Sequence, residues 1–211
     1  METLAHQFDD VEQQREASTL GMWIFLATEV LFFGGMLLAY SVYRTLYFTA
    51  FAEASRELDV VLGSVNTAVL LCSSLTMAIA VYQAEAGNVK WLVRFVGLTM
   101  LLGMIFLAIK FYEYYEKYQE GLIPGAHFTW HGNDAGHASL FFIAYFILTG
   151  MHAVHMIVGI GLMSVLARLA WKGRFTPAYY TPVELGALYW HFVDIVWVFL
   201  FPLLYLVHRS S

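Results

Sequence analysis

Long apolar runs separated by short polar stretches dominate the chain. Measured against the ~20 apolar residues needed to cross a bilayer core, five qualify: residues 20–42, 60–82, 91–109, 138–167 and 185–207. None shows the two-residue alternation of a half-buried strand, and their length predicts helices. Ser18 suits the N-cap of the first helix, while Pro182 and Glu184 suit the first turn of the fifth. The fourth run exceeds the hydrocarbon thickness, so it should tilt or extend beyond the membrane. Residues 121–136, rich in Gly and His, read as a loop. The pattern predicts an all-α integral membrane protein, a bundle of five transmembrane helices.

One domain, preceded by a short segment, follows from this division. Residues 1–19 form an acidic N-terminal extramembrane segment carrying Glu2, Asp9, Asp10, Glu12 and Glu16, and residues 20–208 form a single five-helix membrane domain. An acidic start and a long first run argue against a cleavable signal peptide. No Gly/Pro-rich linker or internal repeat divides the membrane domain.

Composition strengthens the membrane reading. With 60% hydrophobic and 13% charged residues and a mean hydropathy of +0.63, the chain has too little polar surface for an ordinary soluble domain. A net charge of −5 suggests no nucleic-acid partner. The lone cysteine, Cys72, leaves no intrachain disulfide.

Orientation is weakly encoded. With the N-terminus cytoplasmic, that side carries Arg15, Lys90, Arg94, Arg168, Lys172 and Arg174, against Arg44, Arg56, Lys110, Lys117 and Arg209 on the other. The positive-inside rule then favours a cytoplasmic N-terminus and a periplasmic C-terminus. The cluster Arg168, Lys172 and Arg174 can also meet anionic lipid headgroups.

Charged groups inside the runs carry the chemistry. Glu29 and Asp194 each stand alone in a 23-residue run with no other Asp, Glu, Lys or Arg. Such a charge costs at least ~2.5 kcal/mol on insertion scales, which marks it as partnered and tied to function. Each lies nine residues into its run, roughly 14 Å deep at 1.5 Å per residue. His152 and His155 share a helix face, as do His191 and Asp194, with Trp190 and Trp197 on an adjoining stripe. Glu29, His152, His155, His191 and Asp194 therefore form a candidate buried polar layer. Phe25, Leu26, Phe32 and Phe33 leave Glu29 little solvent, so it should be protonated or hydrogen-bonded, with a histidine of the fourth run as partner.

Each of these groups also has a bland reading, as a hydrogen-bonded packing element. Haem ligation is disfavoured, because axial ligands approach from opposite sides. A di-iron carboxylate bundle wants Glu-x-x-His pairs, and none occurs. His127, His131 and His137 with Asp134 match no standard metal spacing. Tyr112–Glu116 closes the third span at the outer interface, where tyrosines form an aromatic belt. Glu113, Trp190 and Trp197 are assigned to this interface set, with Glu113 solvated or paired with Lys110 or Lys117. Small residues, among them Gly34, Gly35, Gly63, Gly97, Gly103, Gly159 and Gly161, suit close helix contact.

The strings Thr28-Glu29-Val30-Leu31-Phe32-Phe33-Gly34, Tyr112-Glu113-Tyr114-Tyr115, Thr149-Gly150-Met151-His152-Ala153-Val154-His155 and Tyr189-Trp190-His191-Phe192-Val193-Asp194, in that order, closely resemble subunit III of the haem–copper terminal oxidases. The resemblance covers residues 21–206 and points to the five-helix bacterial form. It implies a non-catalytic subunit of the bacterial inner membrane that stabilises subunit I, contacts subunit II, binds phospholipid and supports proton uptake. Haems and copper then belong to the partner subunits, with no cofactor or metal held by this chain. The family's buried glutamate maps to Glu29, its histidine pair to His152 and His155, its Trp-His-Phe-Val-Asp motif to Trp190, His191 and Asp194, and a lipid-contacting arginine to Arg168. Two alternatives stay open at this point: the equivalent subunit of a quinol oxidase or nitric oxide reductase, and a small proton-coupled transporter.

Overall fold

A computed structural model describes residues 8, 10–125, 128–132 and 134–207. Among these, six helices follow one another: α1 (Val11–Leu46), α2 (Phe48–Ser55), α3 (Val60–Glu85), α4 (Val89–Gln119), α5 (Ala135–Trp171) and α6 (Thr181–Tyr205). All but α2 are long and apolar enough to cross a membrane. The five-span expectation holds, and every predicted run lies within or nearly within a longer helix.

Aspartates set the starts of α1, α3 and α5. Asp10 caps α1, its carboxylate accepting from Gln13 N at 2.7 Å, so the helix begins well before Ser18. Ser18 instead lies inside α1 and donates to Gln14 O. Asp59 caps α3, accepting from Val61 N at 2.7 Å and Leu62 N at 3.1 Å. Asp134 caps α5, accepting from His137 N. Each carboxylate satisfies amide groups that have no intrahelical partner. On the exposed Asp134, the hydrogen bond from His137 also holds the carboxyl below the usual Asp range. Pro182 and Glu184 occupy the first turn of α6 as expected.

The short helix α2 had no counterpart in the hydropathy pattern. Tyr47 leaves the helical region at φ −124° and ψ 44°, which ends α1 and lets the chain turn. Phe51 and Ala54 are then buried against α5, with Phe51 edge-on to Phe141 at 5.6 Å. At the opposite end of the bundle, α3 turns into α4 through Gly87 at φ +74°, a left-handed position that only glycine adopts without steric cost.

The core lies among α3, α4, α5 and α6, with α1 packed on α5 and α6. Trp190, fully buried, is its central wedge. It enters between Gly103 of α4 and Gly159 of α5, where a Cβ atom would come within 2.8 Å and 3.1 Å of the indole. Gly63 admits Phe201 in the same way. Gly34, Gly35, Gly97 and Gly161 face open space, so the expected close contacts there are absent. α1 is the least embedded helix: 11% of its most apolar stretch is buried, against 56% for α6.

Candidate functional site

The predicted polar layer resolves into three separate groups. The first joins Glu29 of α1 to His155 of α5, Nε2 to Oε2 at 3.1 Å. The other ring nitrogen, Nδ1, lies 2.8 Å from Met151 O. A carbonyl only accepts, so Nδ1 carries a hydrogen. The bond to Glu29 then holds one proton. Either Glu29 is a neutral acid donating to Nε2, or an imidazolium donates to a carboxylate. Both forms keep the pair neutral overall and preserve the same contact, which is why a low-polarity site tolerates them. Phe33 packs edge-on to the ring at 5.1 Å, and Tyr189 donates to His155 O at 3.0 Å. Phe25 and Phe32, expected to shield Glu29, are 41% and 44% exposed. Phe33 and Leu26, the other two of that set, are buried.

The second group is His191 of α6 with Ser74 of α3, whose hydroxyl lies 2.7 Å from Nδ1. Ser74 had not been expected, and only tertiary packing places it there. Asp194, one turn further along α6, is nearly fully buried and lies beside the same Ser74 hydroxyl. The third group is His152, fully buried, with neither ring nitrogen hydrogen-bonded among the described residues. Its ring sits 5.3 Å from Phe106 and 5.2 Å from Trp197. His152 and His155 share a helix face in sequence, yet they serve different neighbours. His152 points among α4 and α6, His155 toward α1.

Three residues assigned to the interface belong to the core. Trp190 and Trp197 are fully buried, and their indole N–H groups donate to Ser73 at 3.0 Å and Thr67 at 3.1 Å. Glu113 is 1% exposed and pairs with Lys110 at 2.9 Å. Lys110 also donates to Tyr205 at 2.8 Å and Tyr145 at 3.0 Å. Tyr205 in turn donates to Glu113 at 2.6 Å. The ammonium lies over the rings of Tyr114, Tyr145, Trp197 and Tyr205 at 4.9–5.5 Å. All three ammonium donors and both carboxylate oxygens are engaged, so the charges are buried but compensated. The sequence clue was Lys110 three residues before Glu113 inside an apolar helix.

Arg168 is exposed at the end of α5. Of the loop histidines, His137 pairs with Asp134 at 2.6 Å and stacks on Tyr47 at 3.7 Å, His131 is exposed, and His127 lies outside the described residues. No cluster with metal-ligand composition occurs among the described residues.

A groove of about 470 Å³ runs between α1 and α6, walled by Trp23, Val30, Phe33, Phe192 and Phe199. It shares Leu188 and His191 with a second groove of about 450 Å³ toward the N-terminal end of the bundle. Arg15 and Glu184 line the latter and face each other at 3.8 Å.

Five spanning helices closed on an aromatic core, with titratable groups enclosed between them and a greasy groove along one flank, define a polytopic helical membrane protein. The family model for cytochrome c oxidase subunit III matches residues 6–208, and the chain belongs to that family, the accessory subunits of haem–copper oxidases. It is 35% identical over 192 residues to cytochrome c oxidase subunit 3 of Corynebacterium diphtheriae, covering 90% of this chain and 87% of the relative. It is 33% identical over 190 residues to quinol oxidase subunit 3 of Bacillus spizizenii, covering 89% and 86%. Against cytochrome bo(3) ubiquinol oxidase subunit 3 of Pseudomonas aeruginosa the identity is 30% over 207 residues, covering 97% and 91%.

Proposed function

We propose that this chain carries no catalytic centre and serves a respiratory oxidase by stabilising subunit I, holding phospholipid and supporting proton uptake, with haems and copper in the partner subunits. The observation that carries the reading is the family match along nearly the whole chain. The shared proton of Glu29 and His155 supports a proton-handling role, because the pair exchanges a proton without creating net charge in the membrane. The α1–α6 groove, apolar along its length with an ion pair near one end, suits a phospholipid acyl chain with its headgroup toward Arg15. The chain sits in the bacterial inner membrane with its N-terminus cytoplasmic. Relatives bear both cytochrome c and quinol oxidase names, and the two readings part at the electron donor of the complex.

The test compares the intact complex with the complex depleted of this chain. Depletion should leave the haem and copper content unchanged and shorten the working lifetime under turnover. Stoichiometric haem or copper on the isolated chain would overturn the reading.

A further inference from the structure

The rings that surround the Lys110–Glu113 pair form a continuous run of oxidisable side chains. Trp197 of α6 lies 6.3 Å from Tyr205 on the same helix. Tyr205 lies 6.4 Å from Tyr145 of α5, and Tyr145 5.9 Å from Tyr114 of α4, all measured between ring centroids. Trp197, Tyr205 and Tyr145 are fully buried. Tyr114 is partly exposed, and Tyr118, one turn further along α4, is largely exposed. Indole and phenol are the aromatic side chains that give up an electron most readily, and at these separations the ring edges lie close enough for one to pass. Phe106 and His152, which pack on Trp197 at 4.8 Å and 5.2 Å, resist oxidation. The run therefore leads from Trp197 toward the rim of the bundle.

One ring in the run has its proton acceptor already in place. A phenol loses an electron readily only when its proton leaves as well, because the phenol radical cation is a strong acid. Tyr205 donates to Glu113 Oε1 at 2.6 Å, the length of a charge-assisted O–H···O⁻ bond, so the proton has a short path to a base. Lys110 is held by the other oxygen, Oε2, at 2.9 Å. Oε1 can take the proton without breaking the ion pair.

The ammonium also gives the run a direction. It lies 5.3 Å from the Trp197 ring and disfavours a positive charge resting on the indole. At Tyr205, whose oxygen it meets at 2.8 Å, loss of the proton leaves a neutral phenoxyl that carries no such penalty. The Tyr145 hydroxyl accepts from Lys110 at 3.0 Å and lies beside that of Tyr205.

We propose that Trp197, Tyr205 and Tyr145 form a hole-scavenging relay, which reduces one-electron oxidants that escape the oxygen chemistry of the partner subunits. The proposal rests on the accessory-subunit reading above and gives it a chemical means of prolonging working life. Trp197 gives one electron to the oxidant. Tyr205 returns an electron to the indole and passes its O–H proton to Glu113 Oε1, leaving a neutral phenoxyl and a carboxylic acid. Tyr145 gives a hydrogen atom to the Tyr205 oxygen, so the radical crosses to α5 with no net movement of charge. A small reductant at the surface, such as ascorbate, supplies one electron through Tyr114. The Glu113 proton then returns through Tyr205 to the Tyr145 oxygen, and every group is restored.

The experiment treats the fully oxidised intact complex with hydrogen peroxide and records electron paramagnetic resonance on freeze-quenched samples, with the complex depleted of this chain as background. Wild type should show a neutral tyrosyl signal above that background, narrowed when the tyrosine rings are deuterated. The excess should vanish in Tyr205→Phe. It should vanish equally in Trp197→Phe, which leaves Lys110, Glu113 and Tyr205 bonded to one another and so controls for damage to the clamp. Both variants should keep the haem content and initial turnover of wild type and lose working lifetime. No excess signal in wild type would overturn the proposal, as would an excess that survives either substitution. Variants that lack the signal yet last as long as wild type would overturn it too. The accessory-subunit reading fails on a different result, an unchanged lifetime when the whole chain is depleted.

Discussion

Glu29 shows how much a single buried group owes to its partner. Alone, a carboxyl in the apolar part of α1 is a liability. Bonded to His155 it becomes half of a neutral, one-proton pair. Glu29→Gln can still hydrogen-bond to the ring, so it should keep the subunit in the complex and the haem spectrum unchanged. Glu29→Ala leaves the ring unpaired, which costs about 1–3 kcal/mol, and should loosen the subunit and shorten the lifetime of the oxidase under turnover. Co-purification yield and turnover traces of the two variants check this. Loss of haem incorporation in Glu29→Gln would place the residue in the redox machinery instead. His152 and Asp194 warn against reading such groups as a set, since shared depth brought neither of them into this pair.

At the scale of elements, two devices hold the helices in register. One is the Lys110–Glu113 pair clamped by Tyr145 and Tyr205, which joins α4, α5 and the last turn of α6. That turn follows Pro202, whose missing amide removes a helix hydrogen bond, so the side-chain clamp has an uncommon share in securing it. Removing one charge strands the other: Lys110→Met or Glu113→Gln should each cost about 3–5 kcal/mol, while Lys110→Met with Glu113→Leu should recover most of that loss. Thermal denaturation of the purified complex measures it. Equal damage in the double variant would mean that the network does more than compensate charge. The second device is the Trp190 wedge. Gly103→Ala puts a methyl 2.8 Å from the indole and should cost about 1–3 kcal/mol, whereas Gly97→Ala, facing open space, should stay within about 0.5 kcal/mol. The same melts distinguish them.

For the whole molecule, five spans put the start of α1 and the end of α6 on opposite sides of the membrane. The basic flank at the N-terminal end of α4 and the C-terminal end of α5 favours that end as cytoplasmic. A C-terminal alkaline phosphatase fusion should therefore be active, and an inactive, well-expressed fusion would reverse the orientation. α1, sparsely buried along a long apolar stretch, leaves a broad surface for lipid or for a neighbouring subunit.

Much of this architecture is written locally. Apolar runs of membrane length dictate spanning helices, because a backbone in hydrocarbon must satisfy its own hydrogen bonds, and so the number of spans and their order were legible from residues alone. The four motif strings carried the family. Local chemistry also held a clue that hydropathy hides, the capping aspartates Asp10, Asp59 and Asp134. What hydropathy could not decide was helix rotation. In an almost uniformly apolar helix such as α5, side chains on every face look alike, and only packing against three neighbours separates His152 from His155, draws Trp190 and Trp197 inward and brings Ser74 to His191. The same holds for Lys110 and Glu113, whose spacing allowed a solvated pair at the interface. Burial came from tyrosines of α5 and α6, distant in sequence, that satisfy the charges once the bundle has closed.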